Sequence, residues 1–142
     1  MKIVSSIIAS AIVGTALALS GASAASADPA VASADPAVTI TPATGLSDGQ
    51  SVAVSGTGYT AGVNAVIIEC SALTQVCDTA GATYVTVDAD GSITAQATVK
   101  KTFDGIDAGT GETGTVDCSD NNCGIVVYAS LDQFKMVPIE FA

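Results

Sequence analysis

The sequence predicts an all-β domain, a seven-stranded Greek-key sandwich of immunoglobulin type. Between Val38 and Phe141, apolar residues recur at every second position in short runs, the side-chain period of a strand with one buried face. Clusters of Gly and Asp separate those runs, which is turn chemistry. Past the N-terminal segment no stretch carries the 3.6-residue apolar period of a helix. Short strands with regular turn signals are the pattern of a sandwich.

The first run is Val38 and Ile40, alternating with threonines and stopped at Pro42. Leu46-Ser47-Asp48-Gly49 then turns the chain, because Asp bonds its own backbone and Gly supplies a positive φ. Val52 and Val54 alternate with small polar residues, and Gly56, Gly58 and Gly62 punctuate the link to Val63–Cys70, a strongly apolar run. Thr83–Asp88 puts Val85 and Val87 on one face, Tyr84 and Thr86 on the other. Asp88-Ala89-Asp90-Gly91 reads as a hairpin turn. It resembles the start of a calcium loop, but the remaining ligands and the closing Glu are missing at the required spacing. Ile93, Ala95, Ala97 and Val99 alternate with Thr94, Gln96, Thr98 and Lys100, the cleanest period-two signal in the chain. Ile125–Ala129 and Lys135–Phe141 complete the set, and Pro138 marks the last run as an edge strand.

The N-terminus reads differently. Met1-Lys2 carries one positive charge, Ile3 to Leu19 is an apolar run, and Gly21 to Ala27 reads GASAASA, the pattern of a secretory signal peptide with a small-residue cleavage site. SADPAV occurs at Ser26–Val31 and again at Ser33–Val38. Residues 1–27 are therefore expected to be a signal peptide, with cleavage as late as residue 34. Residues 28–36 are expected to be a processed segment or short Ala/Pro-rich tail, and 37–142 the folded domain. The expected product is secreted and monomeric, with no membrane segment after cleavage.

Composition excludes several functions. The 142 residues hold 14 Asp and Glu against 4 Lys and no Arg, for a formal net charge of -10. A nucleic-acid surface needs clustered bases, so direct binding to nucleic acid is not expected. There is no His, hence no Ser-His-Asp triad, Cys-His dyad or imidazole metal site. Asp48, Asp104, Asp107, Glu112 and Asp120 sit in turn segments beside Gly or Asn and read as solvated rather than catalytic. Glu69 lies next to Cys70 in an apolar strand, where facing a cleft is the alternative, and is expected to be an outward-facing strand residue. Lys100-Lys101 reads as a solvated strand end. Catalytic residues and metal ligands are expected to be absent, and the protein is not expected to be an enzyme.

The four cysteines suit an exported chain. They allow three pairings. Local pairing, Cys70 with Cys77 and Cys118 with Cys123, is favoured because only a turn-like segment separates each couple. An antibody-like bridge between sheets is the alternative, weakened by the lack of a core Trp. The spacings do not suit a zinc knuckle.

Several blocks then carry a family resemblance: VTITPATGLSDGQSVAVSGTGYTAG from Val38, Val87-Asp88-Ala89-Asp90-Gly91-Ser92, Val99-Lys100-Lys101-Thr102-Phe103-Asp104-Gly105, Gly114-Thr115-Val116-Asp117-Cys118 with Cys123, and Ile139-Glu140-Phe141. In this order and spacing they resemble the neocarzinostatin family of antibiotic chromoprotein apoproteins. The resemblance implies bridges Cys70–Cys77 and Cys118–Cys123. It also implies a cleft at one end of the sandwich, holding an enediyne-type chromophore without a covalent bond. DNA damage in that family is done by the released chromophore.

Within the implied cleft this chain departs from the family. Ala72 stands where a neocarzinostatin-type cleft has Trp, Gln75 where it has Leu, and Ala82 and Ala108 where it has Phe; Tyr128 replaces a small polar residue. The candidate pocket is thus Cys70, Ala72, Leu73, Gln75, Cys77, Ala82, Tyr84, Ile106, Ala108 and Tyr128. Leu73, Tyr84, Ile106 and Tyr128 are its apolar candidates, with plain core packing as their alternative. The expected function is a secreted, non-enzymatic carrier of a small apolar or aromatic natural product, with no other cofactor. The alternative is an orphan member that has lost the chromophore cup and binds another protein or a surface.

Overall fold

The computed structural model describes residues 35–142. The expected signal segment, its possible cuts and all but the last two residues of the 28–36 tail lie outside the described residues. The described residues form ten strands: β1 (Ala37–Thr41), β2 (Ser51–Thr57), β3 (Asn64–Ser71), β4 (Val76–Cys77), β5 (Thr83–Thr86), β6 (Ile93–Thr98), β7 (Thr102–Asp107), β8 (Thr113–Asp117), β9 (Cys123–Ser130) and β10 (Gln133–Ile139). A 3-10 turn at Thr79–Gly81 accompanies them, capped by Asp78, whose side chain accepts the Gly81 N–H at 3.0 Å.

Two sheets make the sandwich. The smaller runs β1-β2-β6; the larger runs β10-β9-β3-β4-β7-β8, with β5 also paired to β3. Period-two burial sets which side chains meet between them. Ile40, Val52, Val54, Ile93 and Ala97 point inward from the small sheet, and Ala65, Ile67, Phe103, Val116, Ile125, Val127 and Ile139 from the large one. All are buried. Each of the Val, Ile and Phe side chains among them contributes about 1.5–3 kcal/mol by leaving water, and the alanines less. Tyr59 closes one side of this core: its hydroxyl donates to the Val127 carbonyl at 3.4 Å, and burial pushes its pKa up to about 12.

The expected all-β sandwich is present, but three strands go beyond the seven runs traced in the sequence: β4, β7 and β8. Their inward positions carry little apolar signal. In β7 the inward residues are Phe103 and Gly105, and in β8 the buried one is Val116. Gly105 is there for space: a Cβ would run into the Cys77 carbonyl of the neighbouring strand. Pro138 does lie on an edge strand, β10, as the missing N–H requires.

Two expectations about charged residues are corrected. Glu69 does not face outward. It is 3% exposed and shares the inward face of β3 with Ala65 and Ile67. Nor is Lys100 merely a solvated strand end. Its ammonium reaches the buried Asp78 carboxylate at 2.7 Å, and its backbone N–H donates to Glu69 Oε2 at 2.8 Å. Both faces of β3 are apolar, so alternation could not reveal which side the lone acid takes.

Candidate functional site

The outward face of the large sheet is also apolar. Because side chains alternate, Val66, Ile68 and Cys70 of β3 project away from the core. Register sets them beside their neighbours on β9 and β10. Cys70 pairs with Gly124 and Gly124 with Pro138; Ile68 with Val126 and Val126 with Met136; Val66 with Tyr128 and Tyr128 with Phe134. Three parallel rows of side chains thus cross the strands.

These rows floor a cleft of about 480 Å³. Of the first row, only Cys70 lines it. Gly124 has no side chain, and a Cβ there would meet the Val137 carbonyl at 2.7 Å and Met136 Cε at 2.8 Å. Met136 can therefore lie across the strand and form part of the floor. The Cys70–Cys77 disulfide is present and lines the cleft with Ala72, Gln75 and Ala108.

Local hydrogen bonds shape this rim. Ser71 Oγ accepts the N–H groups of Leu73 and Thr74 at 3.2 and 3.3 Å. The Ser71 carbonyl accepts from Gln75 N–H at 3.2 Å, and Gln75 in turn accepts from Ala108 N–H at 3.2 Å. Asp107 Oδ1 takes the Gly109 and Thr110 N–H groups at 2.7 and 2.8 Å. The Thr110 and Gly109 bonds hold the Asp107 carboxyl below the ordinary carboxylate range.

Of the sequence-derived candidates, Cys70, Ala72, Gln75, Cys77, Ala108 and Tyr128 come together in the cleft lining. Leu73 is 75% exposed on the hairpin tip and Tyr84 77% exposed on β5. Ile106 is also exposed, and Ala82 is half-buried outside the lining. Core packing does not explain Leu73, Tyr84, Ile106 or Tyr128, since none is buried. Register shows why two of them flank the cleft. Tyr84 pairs with Val66, one strand beyond the Tyr128 row, and Ile106 pairs with Cys77, one strand beyond the bridge.

Val66, Ile68, Ser71, Val126, Phe134 and Met136 also line the cleft and were missed. The alternation of Val126 with Tyr128, and of Phe134 with Met136, was the available signal. The pairing of β10 with β9 shifts register between Gln133 and Phe134, just before that stretch.

The lining carries two hydroxyls, those of Ser71 and Tyr128, and both of its cysteines are bonded to each other. The cleft can bury and stack; it offers no acid–base pair. Elsewhere Glu69, Cys118 and Cys123 lie close enough together to suggest a metal cluster. Their sulfurs form the second disulfide, so no thiolate is available there.

Comparison with protein-family models matches residues 38–141 to the Neocarzinostatin family. The chain belongs to the neocarzinostatin family. Among known relatives, macromomycin of Streptomyces macromomyceticus is 43% identical over 90 residues, 61% of this chain and 62% of that one. Streptomyces globisporus antitumor antibiotic C-1027 apoprotein is 37% identical over 89 residues, 61% of this chain and 62% of that one. Apokedarcidin of an actinomycete is 34% identical over 112 residues, 73% of this chain and 96% of that one. The match thus spans less than two thirds of the first two relatives. The solved structure of macromomycin superposes with a TM-score of 0.70 at 39% identity, covering 75% of this chain and 99% of that one.

Proposed function

We propose that this protein is a secreted, monomeric, non-enzymatic apoprotein that holds a small apolar or aromatic natural product in the cleft on its large sheet. The observation that carries this reading is the cleft itself: about 480 Å³, floored by aliphatic side chains, walled by a disulfide and by Tyr128 and Phe134. That size and chemistry suit a drug-sized apolar ligand held without a covalent bond. Membership of a family that includes an antitumor antibiotic apoprotein supports the carrier role. Any attack on DNA would belong to the ligand.

The shape of the cleft narrows the ligand class. Tyr128 and Phe134 are 38% and 57% exposed, so each offers a ring face or edge to an incoming molecule. With Ala72 and Ala108 at the rim, aromatic area is concentrated on the β9–β10 side. A flat ligand would stack there and rest its other edge on the bridge.

Native mass spectrometry of the protein purified from its own culture medium tests the proposal. A non-covalent adduct on the order of several hundred daltons is expected. A clean apoprotein that also fails to bind neutral aromatic probes would overturn it and favour the orphan alternative. Among the described residues no helix is long and apolar enough to cross a membrane.

A further inference from the structure

Glu69 and Asp78 flank the cleft's disulfide: Glu69 precedes Cys70 and Asp78 follows Cys77. The Asp78 N–H donates to the Glu69 carbonyl at 2.8 Å, so the two backbones are tied just behind the bridge. Both side chains are buried, at 3% and 2% exposure. One cation serves this pair of acids. Lys100 gives its ammonium to Asp78 and only its backbone N–H to Glu69.

The second oxygen of Glu69 decides its state. Oε1 lies 3.6 Å from the Cys118 sulfur. That sulfur is half of a disulfide and has no hydrogen to donate. Among the described residues no N–H or O–H group reaches Oε1. A carboxylate would leave this buried oxygen without a donor, whereas a neutral acid can turn its own O–H toward the sulfur lone pair. Burial is the largest influence and pushes the carboxyl up to about 7. The Lys100 N–H bond to Oε2 and the Lys100 charge pull the other way, while the Asp78 and Asp48 charges add to the rise.

We infer that Glu69 is a protonation switch for the floor of the cleft: neutral, it lets β3 and β4 close around the Cys70–Cys77 bridge, and ionised, it loosens the hairpin and weakens ligand retention. Ionisation places a second buried anion beside Asp78, with a single Lys100 to balance both. The strain falls on the Asp78–Glu69 backbone bond, which anchors the hairpin that carries Ala72 and Gln75. Retention is therefore tight in mildly acidic medium and slackens as pH rises past neutral. The ligand's part in this rests on the carrier reading above; the hairpin's part does not.

The test uses the mature protein and its Glu69→Gln variant, with two separate readouts. Gln keeps an oxygen for the Lys100 N–H and an amide that can face the sulfur, so it imitates the neutral acid at every pH. The first readout is made without ligand: carboxyl ¹³C titration of Glu69, and amide exchange at Ala72, Gln75 and Asp78 at pH 5 and pH 8, corrected for intrinsic hydroxide catalysis. The carboxyl should titrate near neutrality, and protection should fall by about tenfold or more by pH 8 in the wild type only. The second readout is release of 1-pyrenemethanol, a neutral aromatic whose own charge does not change. Its dissociation should be about tenfold faster at pH 8 than at pH 5 in the wild type and pH-independent in Glu69→Gln. A Glu69 carboxyl already ionised at pH 5, or equal pH dependence of exchange in both proteins, would overturn the switch. Failure of 1-pyrenemethanol to bind at either pH would count against the carrier reading and leave the exchange result to decide the switch.

Discussion

Replacing Glu69 by Gln should make the stability of this protein nearly independent of pH from 5 to 8, where the wild type should weaken. The magnitude follows from the site. The carboxyl moves from an ordinary 4.5 to about 7 on folding, mainly because burial disfavours its charge. The folded state then binds more protons than the unfolded one across that window. Stability from this group is fully present below the unfolded value and is lost as pH rises through the folded one. Between pH 5 and pH 8 the loss is about 2–3 kcal/mol. For a domain of about a hundred residues that is a melting-temperature drop on the order of 10–20 °C. Three exposed acids act with the opposite sign at lower pH. Asp90 is held below the ordinary range by Ser92, Asp107 by the Thr110 and Gly109 N–H groups, and Asp117 by Ser119. Their contribution is present above the unfolded value and is lost as pH falls through the folded one, equally in both proteins. Urea denaturation of wild type and variant at pH 4, 5, 6, 7 and 8 isolates the Glu69 contribution as the difference between the two curves. If that difference does not change between pH 5 and pH 8, Glu69 is not a neutral acid in the folded protein and the burial argument is wrong.

Other expected outcomes follow from the cleft and its frame. Tyr128→Ala should cost less than about 1 kcal/mol in denaturant, because the ring is 38% exposed. The same variant should lose about 1 kcal/mol of affinity for a neutral aromatic probe by fluorescence titration. A larger stability cost with unchanged affinity would place the ring in the core instead. Gly105→Ala should destabilise by about 1–3 kcal/mol, since the new methyl meets the Cys77 carbonyl; thermal unfolding checks this. Peptide mapping without reduction should recover Cys70–Cys77 and Cys118–Cys123 linked, and a Cys70–Cys118 peptide would contradict the fold. The ligand-free protein, with a formal net charge of -10, should not retard DNA in a low-salt gel.

Legibility in the sequence tracked how many faces of a strand are apolar. Strand β6 has one buried face, so Ile93, Ala95 and Ala97 announced both the element and its orientation. Strands β7 and β8 hid because Gly105 and Gly114 occupy positions where a side chain would have marked the period, and Gly105 is needed for close approach to β4. The hairpin side of the cleft was legible through cysteine spacing and family resemblance. Its sheet side was not, and the cause is β3. A run such as Ala65-Val66-Ile67-Ile68 shows no alternation, since Ala65 and Ile67 fill the core while Val66 and Ile68 floor the cleft. The same run disguised Glu69, whose phase can be assigned only once the neighbouring strands are known. A strand apolar on both faces in a two-sheet protein has only one face to give to the core. The other must be covered by something, and among the described residues no other element covers Ile68 and Val126 on the cleft side. The unbroken apolar run at Ala65–Ile68 was therefore itself a signal of an apolar cleft, and an acid next to it had to lie either in the core or in that cleft.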